Sequence, residues 1–130
     1  MDYLERARAL FTDDRFATEV TGIVIEDAGK DYAKCTLELT PSHMNAAGVA
    51  MGGALFTLAD FTFAVAANSV EMNTMSLTSS ITYLSAAKGG KLTAEASCVR
   101  SGRNTCYYII TITDESGKAV ASVSTTGFRN

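Results

Sequence analysis

Residues 44–70 read MNAAGVAMGGALFTLADFTFAVAANSV, and Asp60 is the one charged side chain among them. The run from residue 53 to residue 69 is apolar on nearly all sides, which predicts a long helix that is covered on most sides. An unpaired carboxylate in such a core costs several kcal/mol, or its pKa rises until it is neutral. A purely structural helix has no need of Asp60, so we interpret this residue as one with a chemical use.

Stretches of β character lie on both sides of this predicted helix. Upstream, residues 18–29 and 31–40 are expected to form two strands joined by a turn at residues 28–31. In the second of these, apolar and polar residues alternate, which is typical of a strand with one buried face. Pro41 and Ser42 end it, and a loop rich in Ala, Asn and Gly leads to the helix.

Four more β-rich stretches follow the helix and are joined by short turns that contain glycine. They are residues 75–85, 91–100, 105–114 and 119–128. Residues 2–11 have the spacing of a short amphipathic helix at the start of the chain. The absence of βαβ alternation disfavours a parallel sheet. The sequence therefore predicts an α+β fold, an antiparallel sheet wrapped around one long central helix, in a single domain spanning residues 1–130.

Composition excludes several classes of partner. The chain has a net charge of −3 and no basic stripe, so no nucleic acid is expected to bind it. Thr57, Asp60, Thr62 and Asn68 interrupt the apolar run and argue against a membrane span. The first residues, MDYLERARALF, are charged and amphipathic, unlike a secretory signal, which favours a cytoplasmic protein.

Cysteine and histidine usage argues against a metal site. Cys35, Cys98 and Cys106 are odd in number and lack metal-type spacing, and His43 is the single histidine. Reduced thiols are the favoured interpretation, with a Cys98–Cys106 bridge across a hairpin as the alternative. No metal is expected.

The familiar hydrolytic motifs are missing from the chain. There is no G-x-S-x-G elbow, and KGGK at residues 88–91 lacks the spacing of a phosphate-binding loop. Asp60 is therefore the best candidate for an acid, base or nucleophile. Its candidate helpers are His43, Asn45, Ser76 and Thr78.

The Gly52-Gly53 pair stands where the predicted helix begins. Free N–H groups at a helix start carry partial positive charge and can hold a developing oxyanion. The alternative is that both glycines only permit tight packing. Eight residues separate Gly52 from Asp60, which is about 12 Å along a helix. If both act on one carbonyl, they must come from two chains, and antiparallel packing of two such helices predicts a dimer.

The segment PSHMNAAGVAMGGALFTLAD, residues 41–60, closely resembles the signature H-x-N-x-x-G-x-x-H-G-G-x-x-x-x-L-x-D. This signature marks hotdog-fold acyl-CoA thioesterases of the phenylacetate-degradation (PaaI-like) type. The similarity continues through DFTFAVAANS, SITYLSAAKGGKLTAEA, RSGRN and TTGF, and spans roughly residues 20–128. It implies a hotdog fold, hydrolysis of an acyl-CoA to an acid and coenzyme A, and a homodimer or homotetramer with active sites at the dimer interface. Coenzyme A is then part of the substrate, and no separate cofactor is expected.

The resemblance also implies roles for individual residues. Asp60 matches the catalytic carboxylate, as nucleophile or as base toward water. Gly52 matches the glycine whose N–H polarises the thioester carbonyl, and Asn45 matches an asparagine near the thioester. Ser76 matches a hydroxyl position that in some relatives orients the attacking water.

Further positions match contacts to the substrate. Gly53 and Met51 fall among these contacts. Met51 replaces the signature histidine, either as an apolar wall or as a sign of weakened catalysis, because a thioether donates no hydrogen bond. His43 matches the outer histidine, for which a supporting role in the loop is favoured over catalysis. Three cations match contacts to the nucleotide and phosphates, although solvated charge at turns is the favoured interpretation of them: Lys88, Arg100 and Arg103.

Two other functions compete with thioester hydrolysis. One is an acyl-CoA-binding protein that lost turnover with its histidine. The other is a hydratase or dehydratase on the same fold, which is disfavoured because no histidine follows His43. For the acyl group, an aryl or medium-length aliphatic chain is compatible with the aromatic and methionine side chains of residues 44–63.

Overall fold

The computed structural model describes residues 1–130 and is organised around one helix. This helix, α2, spans Gly52–Ala67 and lies against a sheet of six antiparallel strands. The strands are β1 (Val24–Gly29), β2 (Tyr32–Glu38), β3 (Thr74–Tyr83), β4 (Lys91–Ser101), β5 (Thr105–Thr113) and β6 (Ala119–Arg129). Their spatial order is β1-β2-β4-β5-β6-β3, so β1 and β3 form the edges. The predicted antiparallel sheet around a central helix is confirmed.

Residue size explains how the helix fits against the sheet. Ala33, Ala94 and Ala96 point inward from β2 and β4, are fully buried, and let the backbone of α2 approach closely. Larger side chains from β5 and β6 fill the wider space beside it. The rings of Phe63 and Tyr108 meet edge to face with centroids 5.3 Å apart, an arrangement favoured by their quadrupoles.

The N-terminal residues close one end of this core. Helix α1 spans Tyr3–Leu10, and the Asp2 side chain caps it by accepting a hydrogen bond from the N–H of Glu5. A 3₁₀ turn, Phe11–Asp13, follows directly. The Phe11 ring packs edge-on against Phe61 of α2 at 5.6 Å. The chain start is thereby fixed beside the central helix.

The predicted first strand is wrong over its first residues. Phe16–Thr21 forms a π-helical segment, and β1 begins only at Val24. Asp14 provides the local reason, because its carbonyl accepts hydrogen bonds from both the N–H and the hydroxyl of Thr18. Gly22, with φ of 91°, then turns the chain from the helix into the strand. The β-branched residues that suggested a strand are thus held in a helical turn.

Nine of the 16 residues of α2 are buried, as the sequence predicts, but one strip of the helix is not covered. Gly53 and Asp60 are exposed, and Thr57 and Ala64 are only half-buried. These four residues define what we call the open face of α2. The sheet covers one side of the helix, and the opposite side carries mostly small residues. Asp60 therefore projects from the surface of this chain and not from its core.

The edge strand β3 also carries exposed apolar side chains. Met75, Leu77 and Tyr83 each expose more than half of their surface, and Val70 and Met72 just before the strand do the same. The backbone of an edge strand offers unpaired N–H and C=O groups to another chain. The edge at β3 is thus a surface on which the chain leaves apolar side chains and backbone groups uncovered.

The remaining expectations on cysteine and membrane spans can be compared directly with the structure. All three cysteines are free thiols, and the β4–β5 register pairs Cys98 with Tyr108, not with Cys106. The helices are too short or too polar for any of them to cross a membrane.

Candidate active site

Asp60 lines a cavity of about 470 Å³ on the open face of α2. The floor is formed by α2 through Thr57, Asp60, Phe61 and Ala64, and the wall by residues 13–17. Arg15 is the one cation of this lining, and its guanidinium lies 3.7 Å from the Glu19 carboxylate. Asp60 thus has no cationic partner within the chain.

The electrostatic surroundings of Asp60 disfavour its charged form. Partial desolvation by the groups packed around it raises the pKa of Asp60, and the negative charge of Asp14 raises it further. An exposed carboxylate with a raised pKa and no ion-pair partner is suited to taking up a proton. The chemical interpretation of Asp60 rests on this partly desolvated environment and on its acidic neighbour Asp14.

The N-terminus of α2 has donors that no group of the chain accepts. Met51 is the N-cap residue, and its thioether forms no capping hydrogen bond, so the N–H groups of Gly52 and Gly53 are without an acceptor. The N–H of Met51 itself donates to the carbonyl of His43 at 2.9 Å. A Ser or Asp in place of Met51 would occupy these donors, whereas here they stay available to a ligand.

Gly52 also has a packing role. A Cβ at this position would lie 2.7 Å from the hydroxyl oxygen of Tyr83 and 2.8 Å from the ring carbon that bears it. A Cβ at Gly53 would meet nothing within 4 Å, so packing within the chain gives no reason for that glycine. The contact with Tyr83 therefore gives a packing reason for glycine at residue 52, and this reason is compatible with a free N–H.

Gly52 and Asp60 do not meet within one chain. Gly52 lines a second cavity of about 460 Å³ together with Leu55, Tyr83 and Ala87, and this cavity shares no residue with the one at Asp60. The two residues lie in one helix, about 12 Å apart along its axis. A carbonyl bound to the Gly52 N–H is out of reach of Asp60 of the same chain.

Both ring nitrogens of His43 are engaged in hydrogen bonds. Nδ1 accepts a bond from the N–H of Thr40 at 2.9 Å, and Nε2 donates to the carbonyl of Thr21 at 2.7 Å. The carbonyl of His43 in turn accepts the hydrogen bond from the N–H of Met51. His43 lines a third cavity, of about 420 Å³, together with Met51 and Gly53. Its ring nitrogens position the loop before α2, which agrees with the supporting role that the sequence favoured.

Asn45 organises the loop that precedes α2. Its side-chain oxygen accepts hydrogen bonds from the N–H groups of Ala47 and Val49, at 2.9 and 3.3 Å. The amide NH₂ end makes no bond within the chain, and the residue is exposed. Asn45 can therefore donate to a ligand while its oxygen holds the loop.

Ser76 lies on the exposed edge strand β3, apart from the cavity of Asp60. It pairs with Gly127 of β6, and a bulge between Ser76 and Thr78 bends the strand at this point. The hydroxyl of Ser76 makes no hydrogen bond within the chain. The side chain of Ser76 is exposed on this edge strand.

The three candidate phosphate-binding cations lie at opposite ends of the molecule. Lys88 is at the Gly52 end, since the carbonyl of the preceding Ala87 accepts a hydrogen bond from Ala50 at 2.7 Å. Arg100 and Arg103 lie at and beyond the far end of β4, whose 11 residues extend over roughly 35 Å. One chain cannot bring all three to one phosphate group.

Three residues near these cavities were missed from the sequence. Tyr83 was assigned only to a strand, and Phe16 and Asp14 received no role. Asp14 and Phe16 line the cavity of Asp60, and Tyr83 lies over Gly52. The sequence offered one signal for these residues, because the tyrosine of ITYL lies close to the loop that follows β3.

Comparison with known sequences gives consistent matches. The model of the thioesterase superfamily matches residues 47–121. A putative esterase of Archaeoglobus fulgidus is 35% identical over 129 residues, covering 98% of this chain and 79% of that protein. The acyl-coenzyme A thioesterase PaaI of Escherichia coli is 32% identical over 118 residues, covering 90% and 84%.

Solved structures match over nearly the whole chain. The PaaI protein of the E. coli phenylacetic acid degradation operon superposes with a TM-score of 0.90 at 27% identity, covering 98% of this chain and 94% of that one. A hypothetical thioesterase of Streptococcus pneumoniae with coenzyme A gives a TM-score of 0.86 at 32% identity, covering 92% and 96%. Both similarities extend over more than nine-tenths of this chain.

Proposed function

We propose, from the premise that this chain belongs to the thioesterase superfamily, that it hydrolyses an aryl- or medium-chain acyl-coenzyme A at a site shared by two copies. The chain is a hotdog-fold thioester hydrolase of the PaaI-like type, and acyl-CoA thioesterase activity is supported for it at the level of the family. The acyl group, the roles of the residues and the assembly are our proposal.

Asp60 carries the chemistry in this proposal. As a base, its carboxylate takes a proton from water while the water oxygen attacks the thioester carbonyl; as a nucleophile, it attacks the carbonyl directly and water later cleaves the anhydride. In both cases the carbon–sulfur bond breaks, and coenzyme A leaves as a thiolate that takes up a proton. The raised pKa of Asp60 favours proton uptake and supports the first route.

The N–H of Gly52 from a second copy stabilises the oxyanion. It has no acceptor within its own chain and lies at the positive end of the helix dipole. Two α2 helices packed antiparallel through their open faces bring Gly52 of one copy toward Asp60 of the other. The small residues of that face and the apolar edge of β3 support such a dimer, and a dimer of dimers extends it to a homotetramer.

The same two-fold arrangement unites the cations. Lys88 lies at the Gly52 end of its chain, and an antiparallel partner places its Arg100 and Arg103 at that end as well. Phosphates of coenzyme A would then meet cations from two chains. The structure of a similar protein from S. pneumoniae contains coenzyme A, and that of a similar protein from Streptococcus mutans contains acetyl-CoA. Both support an acyl-CoA as the ligand.

Asn45 and Ser76 complete the proposed site. The free NH₂ of Asn45 donates to the substrate near the thioester, and the Ser76 hydroxyl orients the water. Variants of the S. pneumoniae thioesterase with an aspartate or a threonine changed to alanine were solved and are similar to this chain. Those two positions are as far apart along that chain as Asp60 and Ser76 are along this one, which supports pairing their roles.

The lining of the cavities supports the choice of acyl group. Phe16, Ala17, Phe61 and Ala64 give the cavity at Asp60 an apolar surface large enough for an aryl ring or a medium-length chain. Met51 and Gly53 contribute to the neighbouring cavity, where Met51 exposes 57% of its surface. We therefore assign Met51 as an apolar wall of the acyl site.

One observation carries the proposal: an ion-pair-free carboxylate, Asp60, lies in a cavity on a helix whose first N–H groups are open. The test is thiol release from phenylacetyl-, benzoyl-, hexanoyl- and palmitoyl-CoA. We expect turnover of the aryl or hexanoyl thioesters, and a fall of at least about 100-fold in Asp60→Asn.

Two outcomes would contradict this. Equal turnover in Asp60→Asn would remove Asp60 from the mechanism while leaving the family assignment in place. Tight binding of these thioesters without turnover would favour an acyl-CoA-binding protein, and Met51→His would then be the variant to restore activity.

A further inference from the structure

The open face of α2 carries two cavities in series. The first, about 470 Å³, lies between Asp60 and residues 13–17, and the second, about 420 Å³, lies between Met51 and residues 20–21. The two linings have two residues in common, Phe16 and Thr57. Thr57 comes from the helix and Phe16 from the opposite wall, so this pair marks the boundary between the two cavities.

Of the two boundary residues, Phe16 has the size to separate the cavities. The Thr57 hydroxyl donates to the carbonyl of Gly53 at 2.8 Å and so points back along the helix. Phe16 is aromatic and exposes 65% of its surface although it lies beside the cavity of a candidate catalytic group. No hydrophobic core of this chain accounts for the position of its ring.

The backbone that bears Phe16 is firmly held. Ala17 and Thr21 are buried, and the N–H of Thr18 donates to the carbonyl of Asp14 at 2.9 Å. At the other end of the segment, the carbonyl of Thr21 accepts the hydrogen bond of His43. π-helical segments are rare and frequently occur at functional sites. The backbone at Phe16 is therefore held in place, and only the side chain of Phe16 is free to move.

We infer that Phe16 sets the length of the acyl group by separating the compartment at Asp60 from the compartment at Met51. This inference rests on the proposed function. A short or aryl acyl group fills the compartment beside Asp60, whereas a longer chain has to displace the ring. Val20, Met51 and Ala54 make the second compartment apolar, and Asp13 and Asp14 rim the first. The far end of a long chain therefore belongs in the second compartment once Phe16 gives way.

The test compares kcat/KM for hexanoyl- and dodecanoyl-CoA in Phe16→Ala. We expect the ratio of kcat/KM for dodecanoyl-CoA to kcat/KM for hexanoyl-CoA to rise at least about tenfold, because burying about two more methylene groups is worth about this factor. Phe16→Trp, with a larger ring, should lower the same ratio. Leu10→Ala is the matched control, because Leu10 is an exposed apolar residue of the same N-terminal region that lines neither compartment. An unchanged ratio in Phe16→Ala would overturn the inference.

A binding measurement separates this inference from the proposed function. S-hexyl- and S-dodecyl-coenzyme A are thioethers that cannot be hydrolysed, and their Kd values are measured for the wild type and for Phe16→Ala. A tenfold gain for the longer thioether alone in Phe16→Ala supports the role of Phe16 even if no acyl-CoA is turned over. Turnover by the wild type with the same chain-length dependence of Kd in both proteins would leave the function standing and refute the role of Phe16.

Discussion

The two sides of α2 differ more than any other pair of surfaces in this protein. On the side facing the sheet, Leu58, Ala59 and Thr62 are completely buried, and the Thr62 hydroxyl donates to the carbonyl of Leu58. On the open face, Gly53 and Asp60 are exposed, and no group of the chain pairs with the carboxylate. The Thr62 hydroxyl on the buried side has its hydrogen-bond partner within the chain. The open face has two cavities and an unpaired carboxylate, and the start of the helix has two N–H groups without an acceptor.

We expect this difference to separate residues that hold the fold from residues that serve a ligand. The buried side owes its properties to packing, so changes there should act on the free energy of unfolding. The open face contributes little to that packing, so changes there should act on substrate turnover. Matched substitutions on neighbouring residues of the same helix therefore test whether the two sides differ in this way.

The largest effect is expected on the open face. Asp60→Asn keeps the size and polarity of the side chain but removes the base or nucleophile, so kcat should fall at least about 100-fold. The urea midpoint of unfolding should stay the same or rise slightly at neutral pH, because the raised pKa of Asp60 means that its charge is disfavoured in the fold. A large loss of stability in Asp60→Asn would show that the open face is structural after all.

On the buried side, Leu58→Ala should have the reverse signature. It removes a completely buried side chain and should lower the free energy of unfolding by about 2–5 kcal/mol. Thr57→Ala, one residue away, is the control and should change it by less than about 1 kcal/mol, since Thr57 is half-buried on the open face. Urea denaturation of both variants measures this, and equal losses would contradict the two-sided description.

The two glycines give a finer contrast. Gly52→Ala places a methyl group against Tyr83 and should cost about 1–3 kcal/mol of stability by overpacking. Gly53→Ala meets nothing within 4 Å in the chain and should be neutral or stabilising by up to about 1 kcal/mol. Thermal unfolding at low protein concentration compares them. Similar losses in both variants would show that Gly53 is also closely packed.

The smallest effect is a shift of the pH profile. Activity needs ionised Asp60, so kcat/KM should rise with pH through the raised pKa of this carboxyl, which lies above its ordinary value of 3.8. Asp14→Asn removes a negative neighbour, lowers the pKa of Asp60 and should move the acidic limb to lower pH. Asp13→Asn, in the same cavity, is the control. An acidic limb that stays in place in Asp14→Asn would contradict the assigned cause.

The same pKa shift has a consequence for stability. A folded-state pKa above the unfolded value means that the folded chain binds more protons between the two values, so the Asp60 contribution to stability decreases as pH rises through that window. In Asp60→Asn this pH dependence should be absent. The sign is opposite to that of a salt-bridged carboxylate.

Much of the fold was predictable from local patterns. The helix at residues 53–69 and the last four strands were placed within a few residues, because apolar runs and glycine turns specify them strongly. The open face of α2 was not predicted, since glycine, alanine and threonine are read as apolar or neutral whether or not anything covers them. Residues 18–21 were misassigned because hydrogen bonds to Asp14 and His43 outweigh the β propensity of Thr18 and Val20.

The residues of the candidate site could be proposed from the sequence, but their layout could not. Residue type and spacing single out Asp60 and the helix start at Gly52 as candidates, and their spacing requires two chains only if both act on one carbonyl. The roles of Tyr83 and Phe16 depend on contacts between elements far apart in sequence. Likewise, the separation of Lys88 from Arg103 follows only from the length and direction of β4.

In the proposed site, Asp60 of one copy acts with Gly52 of another, and a subunit-mixing experiment tests this pairing. Asp60→Asn lacks the carboxylate, and Gly52→Pro lacks the N–H at a first helical position where the proline backbone is tolerated. Each variant alone should be folded and inactive, with Gly52→Pro less stable because its ring meets Tyr83.

After unfolding and refolding of an equal mixture, half of the dimers are mixed, and each mixed dimer holds one intact site. About a quarter of wild-type activity should therefore return. If each site lies within one chain, the mixture would stay as inactive as its components, and that result would contradict the shared site.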